Sequence, residues 1–274
     1  MQDNLEPIAI FAGRGSLPKM LIEDCQKKGR RFFIFLLEGE HYEIDYSAFN
    51  PVKIGYGEVE KFFAIMKQHQ ISNMVFVGGV TKPNFSSLKV DKTGAMLLAK
   101  ILANKILGDD AVLRTVMKFL QKHGIKIVAI DDLLDCVVSK RGALTKVKPN
   151  LENMLDINLG MKAIKKFSDF DVGQSLVIAQ KQIIAIEALE GTDEMIKRCK
   201  NLAVDYKHKA ILVKMKKRKQ SKKADLPTIG VTTIKNCAES GFCGIAIQAN
   251  STLVLEKDLV IQTADELGLF LTVI

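Results

Sequence analysis

Apolar residues in this chain follow two rhythms. Unbroken runs such as Ile8–Ala12, Phe32–Leu37 and 74–77 show no polar alternation, which predicts strands buried on both faces. Between them, apolar positions three and four apart predict helices over 18–28, 62–69, 91–105 and 111–123. Gly29 closes the first helix in the manner of a C-terminal glycine. Residues 126–130 read as a further buried strand. Strands alternating with helices of this length predict an α/β fold, a Rossmann-like parallel sheet with helices packed over it.

Lys140, Arg141, Lys148 and Pro149 mark a crossover to a second α/β unit, giving expected domains 1–150 and 151–274 with a ligand cleft between them. Beyond it the pattern predicts a helix over 157–167, then a hairpin of Ser175–Ala179 and 182–188 around Gln180-Lys181. Met195, Ile196, Cys199, Leu202 and Tyr206 keep helical spacing. A strand at 210–213, a helix at 233–241, short strands at 244–248 and 252–255, a helix at 257–268 and a strand at 269–273 complete the second unit.

Length and charge narrow the classes. The chain has 274 residues, 47% of them hydrophobic, enough for one large core or two ordinary ones. A net charge of +9 suits an acidic partner: nucleic acid, anionic headgroups or a phosphorylated metabolite. Only 7% of residues are aromatic and none is Trp, which weighs against a base-stacking platform. The five cysteines are odd in number and never spaced C-x-x-C, and the four histidines are scattered, so neither a disulfide framework nor a zinc site is expected. The first residues carry no basic, long apolar leader, and no run approaches the roughly 20 apolar residues of a membrane span. A cytoplasmic protein is expected, with any membrane association peripheral.

Several stretches carry candidate chemistry. Seven of the ten residues 214–223 are Lys or Arg, and Asp225 follows as a lone acid before Leu226-Pro227. A cationic loop concentrates polyanions, and a carboxylate at its edge is where a divalent metal would meet a phosphate. Its alternative is a solvated turn with a capping Asp. Gly13-Arg14-Gly15-Ser16-Leu17-Pro18, between a strand and a helix, would present backbone N–H groups to an anion. It is half of a dinucleotide fingerprint, with Glu38 where a ribose-binding acid would sit. The third glycine is absent, however, which disfavours a dehydrogenase. Gly79, Thr81 and Lys82 end a strand, where open parallel sheets carry ligand contacts. Asp109 and Asp110 suit either a helix start or a hydroxyl or metal. Asp193 and Glu194 are explained by the start of their helix, whereas Glu190 precedes it and is not.

Taken together, 12–18, 78–83, 108–110, Asp171-Val172-Gly173-Gln174-Ser175, Glu187-Ala188-Leu189-Glu190-Gly191-Thr192-Asp193 and Asp225-Leu226-Pro227-Thr228-Ile229-Gly230 resemble the LpxI-type UDP-2,3-diacylglucosamine pyrophosphatases of lipid A biosynthesis. The resemblance implies a Mg²⁺-dependent hydrolase that cleaves UDP-2,3-diacylglucosamine to UMP and 2,3-diacylglucosamine 1-phosphate (lipid X). It implies two domains with the lipid between them and a catalytic role for Asp225. On that basis Asp225, Glu190 and Gln174 are the expected catalytic residues, and Asp225 and Asp193 the expected metal ligands. Gly13, Ser16, Leu17, Gly79, Thr81, Lys82, Asp109, Thr145, Gly191, Thr192, Lys214, Lys217 and Lys223 are the expected substrate contacts. The basic loop departs from the family pattern: Arg218 replaces Pro, Ser221 replaces Asp and Lys223 replaces Arg, while Lys217, Gln220 and Asp225 match. A binding protein that has lost catalysis, and nucleic-acid binding through the lysine run, are the alternatives, though no specific nucleic acid is expected. Contact with the inner-membrane surface and a homodimer are admitted by the sequence.

Overall fold

The computed structural model describes residues 5–81, 83–103, 109–134, 136, 140–170, 172–202, 206, 208–217 and 226–274, with side chains omitted at 109, 110 and 169. The described residues fall into two compact units, one holding residues 5–134 and the other those from 136 on. A short strand, Gly142–Ala143, pairs with the last strand of the second unit.

In the first unit, β1 (Ile8–Ala12) leads to α1 (Leu17–Lys27), β2 (Phe32–Leu37), β3 (Val52–Ile54), α2 (Val59–Gln68), β4 (Asn73–Val77), α3 (Lys92–Ala103), α4 (Asp109–Lys122) and β5 (Lys126–Ile127). The five strands lie parallel in the order β3-β2-β1-β4-β5. One face is packed by Ala9, Phe35, Ile54 and Met74 against Phe62 and Met66 of α2 and Met117 and Leu120 of α4. Each of the larger side chains, Ala9 aside, contributes roughly 1.5–3 kcal/mol when removed from water. Strand alternation sends Ile8, Ile10 and Ala12 to the other face, and α1 buries Leu21, Ile22 and Cys25. The order reverses between β1 and β4, the switch point at which such sheets open a crevice beyond their carboxyl ends.

The second unit runs β6 (Gly142–Ala143), α5 (Leu151–Phe167), β7 (Ser175–Ala179), β8 (Gln182–Ile186), α6 (Gly191–Leu202), β9 (Ile211–Lys214), β10 (Thr228–Ile229), α7 (Val231–Glu239), β11 (Gly244–Ile247), β12 (Leu253–Val254), α8 (Lys257–Glu266) and β13 (Phe270–Val273). Its main sheet has the order β6-β13-β11-β9-β7-β8. β9, β11 and β13 are parallel, while β6 and β7 run against their neighbours. β10 and β12 form a separate parallel pair. One face packs Val177, Leu212, Ile245 and Leu271 against α6, α7 and α8 through Met195, Ile234, Cys237 and Val260. The other packs Leu176, Ile178, Ile211 and Val213 against Ile157 and Ile164 of α5. The β7–β8 turn is the expected one. Gln180 and Lys181 both take positive φ (50° and 63°), and the buried Asp156 accepts hydrogen bonds from both of their N–H groups, at 2.8 and 2.6 Å.

Candidate functional site

In the first unit, the turns after β1 and β4 are laced together at the switch point. Gly13 N–H donates to the Val77 carbonyl (2.7 Å). Arg14 and Gly79 exchange backbone hydrogen bonds of 2.7 and 3.1 Å. The approach is so close that a Cβ on Gly13 would collide with the Gly79 carbonyl, and one on Gly78, at φ +89°, with the Arg14 carbonyl. Glycine is therefore required here by backbone proximity. Gly13, Ser16, Leu17, Gly79 and Thr81 are thus brought to one edge. Ser16 caps α1 without a side-chain hydrogen bond, leaving its hydroxyl outside the cap.

Three residues at this edge had no place in the sequence reading. Glu40, whose side chain is only 4% exposed, accepts from Thr81 N–H (2.6 Å) and the Thr81 hydroxyl (3.2 Å), and lies 3.9 Å from Arg14 Nε. The Tyr56 hydroxyl stands 2.8 Å from Glu40 Oε1 and 2.6 Å from the Thr81 carbonyl, so its one proton serves either acceptor. Burial, the largest single influence, pushes the Glu40 carboxyl up. The hydrogen bonds from Tyr56 and Thr81 and the nearby Arg14 together outweigh it and hold the carboxyl below its ordinary value. Tyr56 is pushed up by burial and by Glu40. The acid that engages this edge is thus Glu40; Glu38, flagged by the ribose-acid spacing, is exposed. Glu43 adds a second carboxylate by accepting from Gly15 N–H at 3.1 Å, and that bond lowers its pKa.

Behind this edge lies a cavity of about 430 Å³, walled by side chains of the sheet and of α2, α3 and α4.

In the second unit, a polar chain runs along the carboxyl ends of β8 and β9. Lys214, the last residue of β9, is 8% exposed. Its Nζ donates to Thr192 Oγ1 at 2.8 Å. The Thr192 hydroxyl donates in turn to Glu187 Oε1 (3.0 Å), with Ser175 Oγ 3.4 Å away. Glu187 Oε2 accepts from Gln174 N–H at 3.0 Å. Gly191 and Thr192 open α6, whose first-turn N–H groups favour an anion. The backbone leaving β9 is pinned on both sides: Met215 N–H donates to the Gln174 carbonyl (2.9 Å) and Lys216 N–H to Gln248 Oε1 (3.0 Å). That fixes the first residues of the basic stretch, through the half-buried Lys217.

Gln174, Gly191, Thr192 and Lys214 are therefore brought together, and Lys217 follows three residues on. Glu187 and Ser175 were missed as site residues, Glu187 because it fell within the strand expected over 182–188, which ends at Ile186. Glu190 and Asp193 turn elsewhere. Glu190 pairs with Arg198 at 3.0 Å, and Asp193 accepts from Asn236 at 3.1 Å on the exposed side of α6. The Glu190 carboxyl is held below its ordinary value by its own backbone N–H first and by Arg198 after burial is overcome. Thr145 stands apart and buried, its hydroxyl donating to the Val147 carbonyl and accepting from Leu271 N–H beside β13. Asp109 begins α4, and its side chain, with Lys82, Lys223 and Asp225, lies outside the described residues. Among the described residues, no three of His, Cys, Asp and Glu come together to hold a metal ion. Nor is any described helix long and apolar enough to cross a membrane.

Comparison with known proteins covers almost the whole chain. The family model for the LpxI N-terminal domain matches residues 7–137, and that for the LpxI C-terminal domain matches 140–272. A UDP-2,3-diacylglucosamine pyrophosphatase LpxI of Caulobacter vibrioides is 33% identical over 271 residues, covering 97% of this chain and 96% of that protein.

Proposed function

This chain belongs to the LpxI family, and from that premise we propose that it hydrolyses the pyrophosphate bond of UDP-2,3-diacylglucosamine, releasing UMP and 2,3-diacylglucosamine 1-phosphate. The observation that carries the reading is the Lys214–Thr192–Glu187 chain at the start of α6, adjoining in sequence the run of cations at 214–223. A diphosphate there meets a held ammonium, a helix N-terminus and further lysines, as phosphoryl transfer requires. Lysine acts at such a site as a compact point charge.

In this reading water attacks the phosphorus nearer uridine. The bond from that phosphorus to the bridging oxygen breaks, and the bridging oxygen leaves on the lipid-linked phosphate. The water proton passes to a carboxylate, for which the resemblance nominates Asp225. Lys214 neutralises phosphate oxygens, Thr192 fixes its position, and Glu187 orients Thr192. Mg²⁺ belongs to the proposal as an ion borne on the diphosphate, where it would neutralise charge and ask for only one or two protein carboxylates; Asp225 is the one proposed, since Asp193 faces Asn236 on the exposed side of α6. The protein partner surface proposed is the anionic inner leaflet, drawn to the cationic stretch.

The test is incubation of the purified protein with UDP-2,3-diacylglucosamine and Mg²⁺, with and without EDTA, following UMP and lipid X by mass. Release of both that stops with EDTA is the expected result. Tight substrate binding with no UMP in the presence of Mg²⁺ would replace the enzyme with a binding protein.

A further inference from the structure

We propose that the outward face of α5, in the second unit, is a docking surface for a bilayer that carries anionic lipid. The proposal rests on the substrate reading above for the reason a lipid surface is visited, and it names a patch apart from the cations at 214–223. α5 covers one face of the second sheet with Ile157, Gly160 and Ile164, all buried. Its opposite side holds three leucines at intervals of four: Leu151 is 78% exposed, Leu155 48% and Leu159 37%. A step of four residues advances about 40° round a helix, so the three form one stripe. Val147, just before the helix, is exposed as well. Single exposed leucines are ordinary, but a row of them pointing away from a core that the same helix already fills marks an interaction surface.

Cations bracket the stripe. Lys148 precedes it, and Lys162, Lys165 and Lys166 follow it, all exposed. Lys162 and Lys166 come about three turns after Leu151 and Leu155 and so prolong the same line. Of the acids in α5, Glu152 is exposed, whereas Asp156 is buried and holds the β7–β8 turn. Lys146 stands instead with Asp258, Asp265 and Glu266 of α8. A leucine stripe ended by lysines is the pattern of a helix that lies along the boundary between headgroups and acyl chains, held by apolar area and by attraction to anionic lipid. Lysine stems lie along hydrocarbon there while their ammonium heads stay among the headgroups. Phe170, in the turn after α5, is exposed too and adds an aromatic ring beyond the lysines.

The direction of α5 suits a substrate drawn from a bilayer. Asp156 meets Gln180 and Lys181 at the end of β7, and the chain leaving α5 returns through 172–174 to Ser175 at its start. α5 therefore runs antiparallel to β7, with its lysines toward the end where Gln174, Thr192 and Lys214 meet. A second copy of this chain fits the face less well. A twofold interface is self-complementary. Two α5 helices crossed antiparallel at Leu155 would bring Lys162 of one copy toward Lys148 of the other, and aligned parallel each lysine would meet itself. Like charges so opposed disfavour the pairing. Three leucines and a valine are also few beside the roughly 20–30 residues a side of a stable protein interface.

The experiment measures co-sedimentation of the full chain with vesicles of phosphatidylcholine, and of phosphatidylcholine mixed with phosphatidylglycerol, at low and high salt. Two variants divide the patch: Leu151→Gln with Leu155→Gln and Leu159→Gln, and Lys162→Gln with Lys165→Gln and Lys166→Gln. All six side chains are exposed and none is assigned to phosphate chemistry, so both variants should melt as the wild type does. If the leucine variant loses its fold, the lysine variant carries the test. Wild type should bind the anionic vesicles more tightly than the neutral ones, and less tightly as salt rises. The leucine variant should bind at least about tenfold more weakly. The lysine variant should lose about fivefold for each lysine removed, with a shallower salt dependence. UMP release from substrate in detergent micelles should be unchanged in both, while release from substrate in anionic vesicles falls. Wild-type affinity in either folded variant would overturn the proposal and leave vesicle binding to other cations. So would absence of wild-type binding. A wild-type dimer by light scattering that the leucine variant dissolves, with vesicle binding intact, would give the face to a second copy instead. Vesicle binding with both expected losses but no UMP release in micelles would sink the pyrophosphatase reading and leave the membrane face.

Discussion

The two units end their parallel strands in opposite ways. At the carboxyl edge of the first sheet the contacts are mainly backbone: Gly13 to Val77, and Arg14 to Gly79 in both directions. At that of the second they are side chains in series, from Lys214 through Thr192 to Glu187. A backbone edge reads shape, because it admits no Cβ and its donors are fixed by the fold. A side-chain edge carries charge, because a nearly buried ammonium must be held by acceptors. The first edge suits fit and the second chemistry. A family in which both domains are present over the length of the chain is consistent with that division of labour.

The largest effect expected belongs to the proposed hydrolysis. Asp225→Ala should lower UMP release by about 10²–10⁴-fold, the usual worth of a positioned acid or base, while substrate binding is retained. Unchanged release would take Asp225 out of the mechanism. Lys214→Ala should follow at about 10²-fold in kcat, the scale of removing one preorganised donor to developing charge. Lys214→Arg is expected to recover little, since a planar fork replaces a compact point charge. A Lys214→Ala enzyme with normal kcat and a raised KM would recast the chain as ground-state binding only.

Much of this architecture could be read from residue order, and the failures have physical reasons. Strands buried on both faces were legible as unbroken runs: β1, β2 and β7 fall where the runs fall. Strands that owe their existence to a neighbour were not. Val52–Ile54 has one exposed residue among three, and Gly142–Ala143 and Thr228–Ile229 have two residues each. Such segments carry no periodicity, because pairing rather than burial selects them. α5 begins at Leu151, where 157 was expected, because Asn150 and Asn153 form a reciprocal cap at 2.8 and 3.0 Å. The usual signature has Glu or Gln at the second position. At the site, Thr192, Lys214 and Gln174 were legible because each ends or begins an element. Glu187 and Glu190 are both acids near a strand end, and sequence cannot say which one turns inward. Arg198 decides it by capturing Glu190.

On the shape-reading side the prediction is structural. Gly13→Ala should destabilise the first unit by about 1–3 kcal/mol, the cost of forcing an extra carbon into packed backbone. Thermal unfolding measures it. If the melt is unchanged, the β1–β4 junction yields more readily than its hydrogen bonds imply, and the contrast between a rigid edge and a charged one loses its first half.

The smallest effect tests whether the shape-reading edge is wholly free of charge. Of the charged groups there, which include Arg14 and Glu43, Glu40 is the one that holds Thr81 in place. Its folded pKa lies below the ordinary 4.5, so its ionised form is favoured by folding. The stability it contributes is therefore fully present above that ordinary value and is lost as pH falls through the lower, folded value. Glu40→Gln keeps an acceptor but removes the charge, which should cost about 1 kcal/mol at neutral pH. The difference in melting temperature between wild type and Glu40→Gln should persist from pH 7 to pH 5 and shrink below pH 4.5 as the wild-type carboxyl protonates. A difference that stays constant to pH 3 would mean that Glu40 acts through hydrogen bonding alone. The first edge would then be as neutral in energetics as its backbone geometry makes it in form.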